Sequence, residues 1–194
     1  KKILFPKVSK DIWSSTETTL PEGTMKEDFD KDSVLSRFDH QLKSSGINTN
    51  HTLNPDFSWS LSDISQIKNY YQLDKYILLF PFCSPHLTSK KWPYYNDLIS
   101  MINKRSDNEF KVIIAPGPSE INEASNINAL CILDNGKALD ISQLSALIKG
   151  SSFVVANDTG PAHMTAHLGS KGIALFGSHL LAIKTSIERE NFKA

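Results

Sequence analysis

The chain has almost no cysteine, no excess of charge of either sign and no long apolar run, and each absence excludes something. Its two cysteines, Cys83 and Cys131, stand far apart, and each follows apolar residues. That pattern argues against a disulfide or cysteine-based metal framework and reads as two buried thiols in a reducing compartment. Lysine and arginine number 21 against 21 aspartate and glutamate. No overall positive field would therefore gather nucleic acid or an anionic membrane, although a local basic site is still allowed. No apolar run approaches the roughly 20 residues that a membrane-spanning helix needs, and no basic-then-apolar leader opens the chain. The expectation is a cytosolic protein.

What remains is a globular composition. Apolar residues make up 40% and charged residues 22% of 194 residues, enough for one domain or one and a fraction. The chain starts without Met and stops at Asn191-Phe192-Lys193-Ala194 soon after its pattern breaks, which raises the expectation of a piece of a longer protein.

The two parts of the chain differ in pattern. Residues 1–74 carry a weak signal: a short apolar run at Ile3-Leu4-Phe5, then a polar, acidic stretch from Ser14 to Asp32. A helix is expected over Ser33 to Ser44, where Val34, Leu35, Phe38 and Leu42 recur near helical spacing, with Asp32 or Ser33 as cap and Gly46 as stop. From residue 75 onward, compact apolar runs alternate with amphipathic segments. Strands are expected at Tyr76 to Pro81, Phe110 to Ala115, Ala129 to Leu133, Phe153 to Ala156 and Gly172 to Phe176. Helices are expected at Trp92 to Asn103, Ser119 to Asn128, Ile141 to Ile148 and Ala162 to Leu168. Strands apolar on both faces and separated by helices point to a parallel sheet covered on both sides, an α/β domain of Rossmann-like type. In such sheets ligands bind beyond the carboxyl ends of the strands, so the loops there are where chemistry belongs.

Three of those loops carry candidate groups. After the fourth strand, Asn157-Asp158-Thr159-Gly160-Pro161-Ala162-His163 has the small, capping and proline residues of a helix N-terminus. Its free amides and positive dipole end suit a diphosphate, and Gly160 removes a side chain that would hold the backbone away. His163 could donate to a phosphate oxygen. The competing reading is that Asp158 or Thr159 merely caps the helix while His163 packs in the core. After the first strand, Thr88, Ser89, Lys90 and Lys91 place hydroxyls and ammonium groups before a helix, fit for phosphate oxygens or simply solvated. Trp92-Pro93 reads as packing. After the second strand, Glu120 could accept from a ribose or base, or be an ordinary first-turn carboxylate favoured by the helix dipole.

In this order, TSKKWP, GPSE and the run from Leu139 to Gly177 (LDISQLSALIKGSSFVVANDTGPAHMTAHLGSKGIALFG) resemble the donor-binding domain of the ADP-heptose:lipopolysaccharide heptosyltransferases, glycosyltransferase family 9. The resemblance covers about Tyr76 to Ser178. Upstream, Ser36-Arg37-Phe38 through Gly46-Ile47, and Pro55-Asp56-Phe57-Ser58-Trp59, are similar to the segment joining that family's two domains. The resemblance implies the C-terminal half of a GT-B fold. Residues 1–74 would be a partial N-terminal or inter-domain segment, and residues 75–194 a nucleotide-sugar-binding domain whose C-terminal end is incomplete.

By position, the resemblance makes Lys90 a diphosphate-contacting lysine, with Thr88 and Ser89 in the hydroxyl-bearing loop before it. Asp158, Thr159, Gly160 and His163 match the motif that holds the donor's phosphates and sugar. Glu120 matches the nucleoside-binding carboxylate, one residue short in its spacing from Gly117. The implied activity is inverting transfer of a heptose-like sugar from a nucleotide diphosphate donor, such as ADP-heptose, to a lipopolysaccharide-type, lipid-linked saccharide. No cofactor and no metal are implied, in keeping with the lack of a clustered Asp-x-Asp in this half, and no nucleic acid. The implied place is cytoplasmic, at the inner face of the cytoplasmic membrane.

Two departures leave alternatives open. The family's catalytic base lies near the start of an N-terminal domain, and no Gly-rich opening strand is evident here, so no catalytic residue is assigned. After Phe176-Gly177, Ser178-His179-Leu180-Leu181 leaves the family pattern. A non-catalytic or degenerate nucleotide-sugar-binding module is the second reading. A GT-B sugar-nucleotide epimerase is the third, and it needs acid and base residues that are not identified here.

Overall fold

The computed structural model describes residues 33–44, 46–50, 56–107, 109–177, 182–185 and 187–194. The chain divides into two compact units, one of residues 1–55 and 183–186 and the other of residues 56–182 and 187–194. Ile3-Leu4-Phe5, the acidic stretch, Asp32 and Ser178 to Leu181 lie outside the described residues.

In the first unit, α1 spans Val34–Ser44. Ser33 is its cap, with Oγ accepting from the Ser36 N–H at 3.4 Å. The stop is built as a Schellman turn. Gly46 has φ +74°, its N–H donates to the Lys43 carbonyl, and the Ile47 N–H donates to the Leu42 carbonyl. Glycine suits that left-handed position because it has no Cβ to clash. Asp39 and Lys43 pair at 2.6 Å one turn apart.

The second unit is a six-stranded sheet, β1 Tyr76–Phe80, β2 Lys111–Ile114, β3 Leu130–Cys131, β4 Phe153–Asn157, β5 Gly172–Leu175 and β6 Phe192–Lys193. The order is β3-β2-β1-β4-β5-β6 and every pair is parallel. Crossovers are supplied by α3 Tyr95–Arg105, α4 Ile121–Ala124, α5 Ile141–Lys149 and α6 Gly160–His167, while α2 Ser65–Tyr71 precedes β1. This is the doubly wound order in which the chain winds outward first one way and then the other, so the connections leaving β1 and β4 diverge.

Apolar residues on both faces of a strand must feed two cores, and they do. Tyr76, Leu78 and Phe80 of β1 join Ile113, Val154, Ala156 and the buried faces of α5 and α6. Ile77 and Leu79 of the same strand join Val112, Ile114 and Val155 with Tyr95 and Ile99 of α3. Alternate side chains thus point to opposite layers of helices, the Rossmann-like arrangement expected from the sequence.

The elements differ from expectation at their ends. α3 starts at Tyr95 rather than Trp92, α4 is a single turn, and β3 has only two residues. β6 has no counterpart among the expected strands. It is held by pairing with β5, where Gly172 opposes Phe192. The two cysteines are free as expected, but they are half-buried rather than buried. Cys83 lies at a loop instead of a core, with its thiol donating to the Leu87 carbonyl at 3.3 Å.

Candidate functional site

Beyond the carboxyl ends of β1 and β4, a cleft of about 350 Å³ opens in the sheet's top edge. It lies where the strand order reverses, the place at which diverging loops leave room for a ligand. Five of the sequence-selected residues line it: Lys90, Glu120, Asp158, Thr159 and Gly160. Apolar walls come from Phe80, Phe82, Leu139 and Leu144.

The Thr159 to His163 segment is a helix start in which the Ala162 and His163 N–H groups turn back to the Thr159 carbonyl, so that the Thr159 and Gly160 amides are the ones offered to a ligand. Thr159 occupies the cap position in extended conformation, yet no side-chain cap hydrogen bond forms. Its hydroxyl donates instead to the Asn157 carbonyl at 3.2 Å, and the Asp158 carboxylate turns to Lys90. The capping reading of this motif is therefore not what the structure shows. Pro161 lacks an N–H and stands in the first turn, where that donor would have been an orphan anyway. Gly160 is informative for what it does not need. It does not adopt the left-handed conformation, and a Cβ built on it would meet nothing within 4 Å. Among the described residues neither backbone strain nor packing asks for glycine there, and the space beside its backbone is open.

Lys90 sits in a single 3₁₀ turn, Thr88–Lys90. Its Nζ donates to Asp158 Oδ2 at 2.6 Å and to the Asp158 carbonyl at 3.2 Å. The pair is largely withdrawn from water, with the Asp158 side chain 4% and the Lys90 side chain 20% exposed. Two of the three ammonium protons are thus engaged, and one donor remains for a ligand in the cleft. Lys90 is neither a solvated lysine nor an unpaired one. Thr88 and Ser89 are exposed on the turn and do not line the cleft. Lys91 pairs with Glu123.

Glu120 directly precedes α4, and its Oε2 accepts from the Gly117 N–H at 2.8 Å. This closes the loop after β2 on itself. The carboxylate still lines the cleft, with lone pairs left to accept from a ligand hydroxyl.

His163 reaches the site only through Asp158, its Nε2 lying 3.7 Å from Oδ1. Burial pushes its imidazole below the ordinary 6.5; Asp158 raises it, while Lys90 and Arg189 lower it. At neutral pH the ring is uncharged, so at that distance the contact is not an ion pair. The imidazole lines a separate apolar hollow with Met164, His167, Leu168 and Trp59. His163 therefore borders both places, lining the hollow while its Nε2 approaches the Asp158 carboxylate of the Lys90 cleft.

Sequence reasoning missed the role of Asn157. This last residue of β4 is fully buried, and its amide holds both ends of the loop that carries Lys90. The only local signal was its place at the head of the motif. Among the described residues, the two carboxylates that line the cleft each have one oxygen engaged, Asp158 with Lys90 and Glu120 with the Gly117 N–H. Among the described residues, no helix is long and apolar enough to cross a membrane.

The sequence model of glycosyltransferase family 9 (heptosyltransferase) matches residues 24–184. Among solved structures, E. coli heptosyltransferase WaaC with ADP-2-deoxy-2-fluoro heptose is 19% identical, with a TM-score of 0.56, over 81% of this chain and 47% of that one. E. coli ADP-heptose lps heptosyltransferase II is 18% identical, with a TM-score of 0.59, over 83% of this chain and 53% of that one. A putative UDP-N-acetylglucosamine 2-epimerase from Listeria monocytogenes is 12% identical, with a TM-score of 0.53, over 81% of this chain and 44% of that one. No curated protein matches. The chain spans about half the length of the solved heptosyltransferases it resembles.

Proposed function

Since the chain belongs to glycosyltransferase family 9, we propose that it supplies the donor half of an enzyme that moves a heptose-like sugar from a nucleoside diphosphate to a lipid-linked saccharide. The donor class follows what the solved relative holds, an ADP-linked heptose analogue. The acceptor is of lipopolysaccharide type, and the work is done at the inner face of the cytoplasmic membrane. One observation carries the reading: the uncapped start of α6, with a glycine that the fold does not require, faces Lys90 across one cleft.

In the proposed reaction an acceptor hydroxyl, deprotonated by a carboxylate outside this cleft, attacks the anomeric carbon from the side opposite the leaving group and inverts it. The C–O bond to the diphosphate breaks, and negative charge grows on the departing nucleoside diphosphate. The remaining Lys90 donor and the Thr159 and Gly160 amides at the start of α6 oppose that charge. Donors already aimed at a developing charge are worth about 3 kcal/mol each in a water-excluded site. This stabilisation takes the place of a metal ion. Glu120 accepts from the ribose or the base, and Thr88 and Ser89 are available at the rim.

Calorimetric titration with ADP-heptose, UDP-sugars and GDP-sugars tests the donor class, with ADP-linked ligands expected to bind most tightly. Gly160→Val places a branched side chain where the diphosphate is to lie. It should leave the unfolding free energy within about 0.5 kcal/mol of the parent, as substitutions away from packed sites do. ADP affinity should fall at least tenfold. Unchanged ADP affinity in Gly160→Val would remove the proposed site.

A further inference from the structure

The amide of Asn157 is fully buried; three of its hydrogen bonds go to the two ends of one loop and the fourth to Tyr95 of α3. Nδ2 donates to the Pro81 carbonyl at 2.9 Å and to the Phe82 carbonyl at 3.5 Å. Oδ1 accepts from the Trp92 N–H at 3.3 Å and from the Tyr95 hydroxyl at 3.2 Å. Two donors and two lone pairs are all that a carboxamide has. The orientation of the amide is unambiguous, since carbonyls only accept and a backbone N–H only donates. Pro81 and Phe82 open the segment after β1, and Trp92 closes it. Between them stand the cleft-lining Cys83, Ser84, Leu87 and Lys90.

A single side chain at the tip of β4 therefore clamps both ends of a loop that belongs to β1, across the point where the sheet order reverses. Tyr95 buttresses the clamp: its single hydroxyl proton is shared between Asn157 Oδ1 and the Phe80 carbonyl, each at 3.2 Å. The next residue along β4, Asp158, holds the ammonium group of Lys90. Consecutive residues thus grip the ends of the loop and its functional group. A 1 Å displacement of a charged donor from a phosphate oxygen is enough to lose most of a charge-assisted hydrogen bond.

We propose that Asn157, supported by Tyr95, is a positioning residue that sets where Lys90 meets the donor's diphosphate, acting on the ligand only through the loop. The inference rests on the reading of Lys90 as a phosphate contact. It assigns no contact between Asn157 and ligand. Asparagine is the residue type required: aspartate would face two carbonyl oxygens with no protons to give, and leucine would leave a buried N–H and two carbonyls unpaired.

A double-mutant cycle on the full chain tests this, with ADP as the probe in calorimetry and thermal unfolding read in parallel. Tyr95→Phe removes one hydroxyl without changing shape, so it is expected to stay folded and to lose about threefold in ADP affinity; Asn157→Asp is expected to lose about tenfold. Both are then repeated in the background Lys90→Met/Asp158→Asn, where the buried pair is absent. There they should change ADP affinity less than twofold, since coupled residues are not additive. Stability losses should be the same in both backgrounds. Equal affinity losses in the two backgrounds, or no loss in either, would overturn the positioning role. If Lys90→Met/Asp158→Asn binds ADP as tightly as the parent, Lys90 is no phosphate contact, and the proposed site fails together with the inference. Should Asn157→Asp not fold, Tyr95→Phe decides the matter alone.

Discussion

Lys90 and Asp158 form the most consequential side-chain pair in the cleft, because each answers a different need of the other. The Asp158 side chain is only 4% exposed, and the Lys90 ammonium group is a charged partner for it at 2.6 Å; Asp158 in turn holds Lys90 in a fixed place. Removing one member of a buried pair strands the other, which costs about 3 kcal/mol. Lys90→Ala is accordingly expected to lower stability in urea by about that much. Lys90→Met/Asp158→Asn, which removes both charges, should recover most of the loss. A Lys90→Ala variant as stable as the parent would show that the pair is open to water. The pairing also makes single alanine variants poor tests of ligand binding here, since they confound the site with the fold. Nothing local in Thr88-Ser89-Lys90-Lys91 shows that Lys90 meets a buried carboxylate while Lys91 meets the exposed Glu123, and the partner of Lys90 lies 68 residues away.

At the scale of elements, local chemistry explains where helices start and long-range contact explains where strands can lie. α5 begins with a reciprocal capping box: Asp140 Oδ1 accepts from the Gln143 N–H at 2.8 Å, and Gln143 Oε1 accepts from the Asp140 N–H at 3.0 Å. The helix over Ile141 to Ile148 was legible from its amphipathic pattern, and the capping box, whose residues also stand close together in the sequence, fixes where it starts. β5 is different. Its first residue, Gly172, is placed so that a Cβ would come within 2.5 Å of the Val154 carbonyl and 2.9 Å of the Phe192 ring. Gly172→Ala is therefore expected to push β5 away from β4 and β6 and to cost about 1–3 kcal/mol, as overpacking does in a filled core. The urea midpoint reads this directly; a variant with an unchanged midpoint would mean that β6 yields without cost. The reason for glycine at 172 is invisible along the chain, because Phe192 follows it by twenty positions and a two-residue strand leaves no periodic trace.

For the whole molecule, charge balance hides an uneven response to acid. His163 and His167 lie on successive turns of α6, and burial is the first cause that depresses both; Arg189 lowers each further. In the unfolded chain they take up protons near 6.5, while in the folded protein they resist doing so. The unfolded state thus binds more protons in that window, and stability rises with pH. The contribution is fully present above about 6.5 and is lost as pH falls through the folded values. Unfolding midpoints measured from pH 8 to pH 5.5 should fall steadily below 6.5, and His163→Gln/His167→Gln should flatten the curve. A parent curve level from pH 8 to pH 5.5 would contradict the burial of these rings. Loss through carboxylates belongs to a separate, more acid range, since Asp39, Asp56 and Asp63 are held below 3.8 by their hydrogen bonds.

By itself the sequence determined the layers and the loops: apolar runs short enough for strands, amphipathic segments between them, and polar motifs just after the strands. Those signals are local, since a strand buried on both faces or a helix start is written in a few consecutive residues. They located Lys90, Glu120, Asp158, Thr159 and Gly160 at one edge of a parallel sheet. Only the tertiary structure decided what these residues do to one another. It brought β4 beside β1, so that Asp158 neutralises Lys90 and Asn157 clamps the loop between them. It left Thr88 and Ser89 at the surface, and it turned His163 toward an apolar hollow. Contacts between residues 65 to 76 positions apart depend on strand order, and strand order is a property of the folded sheet that no short window of sequence contains.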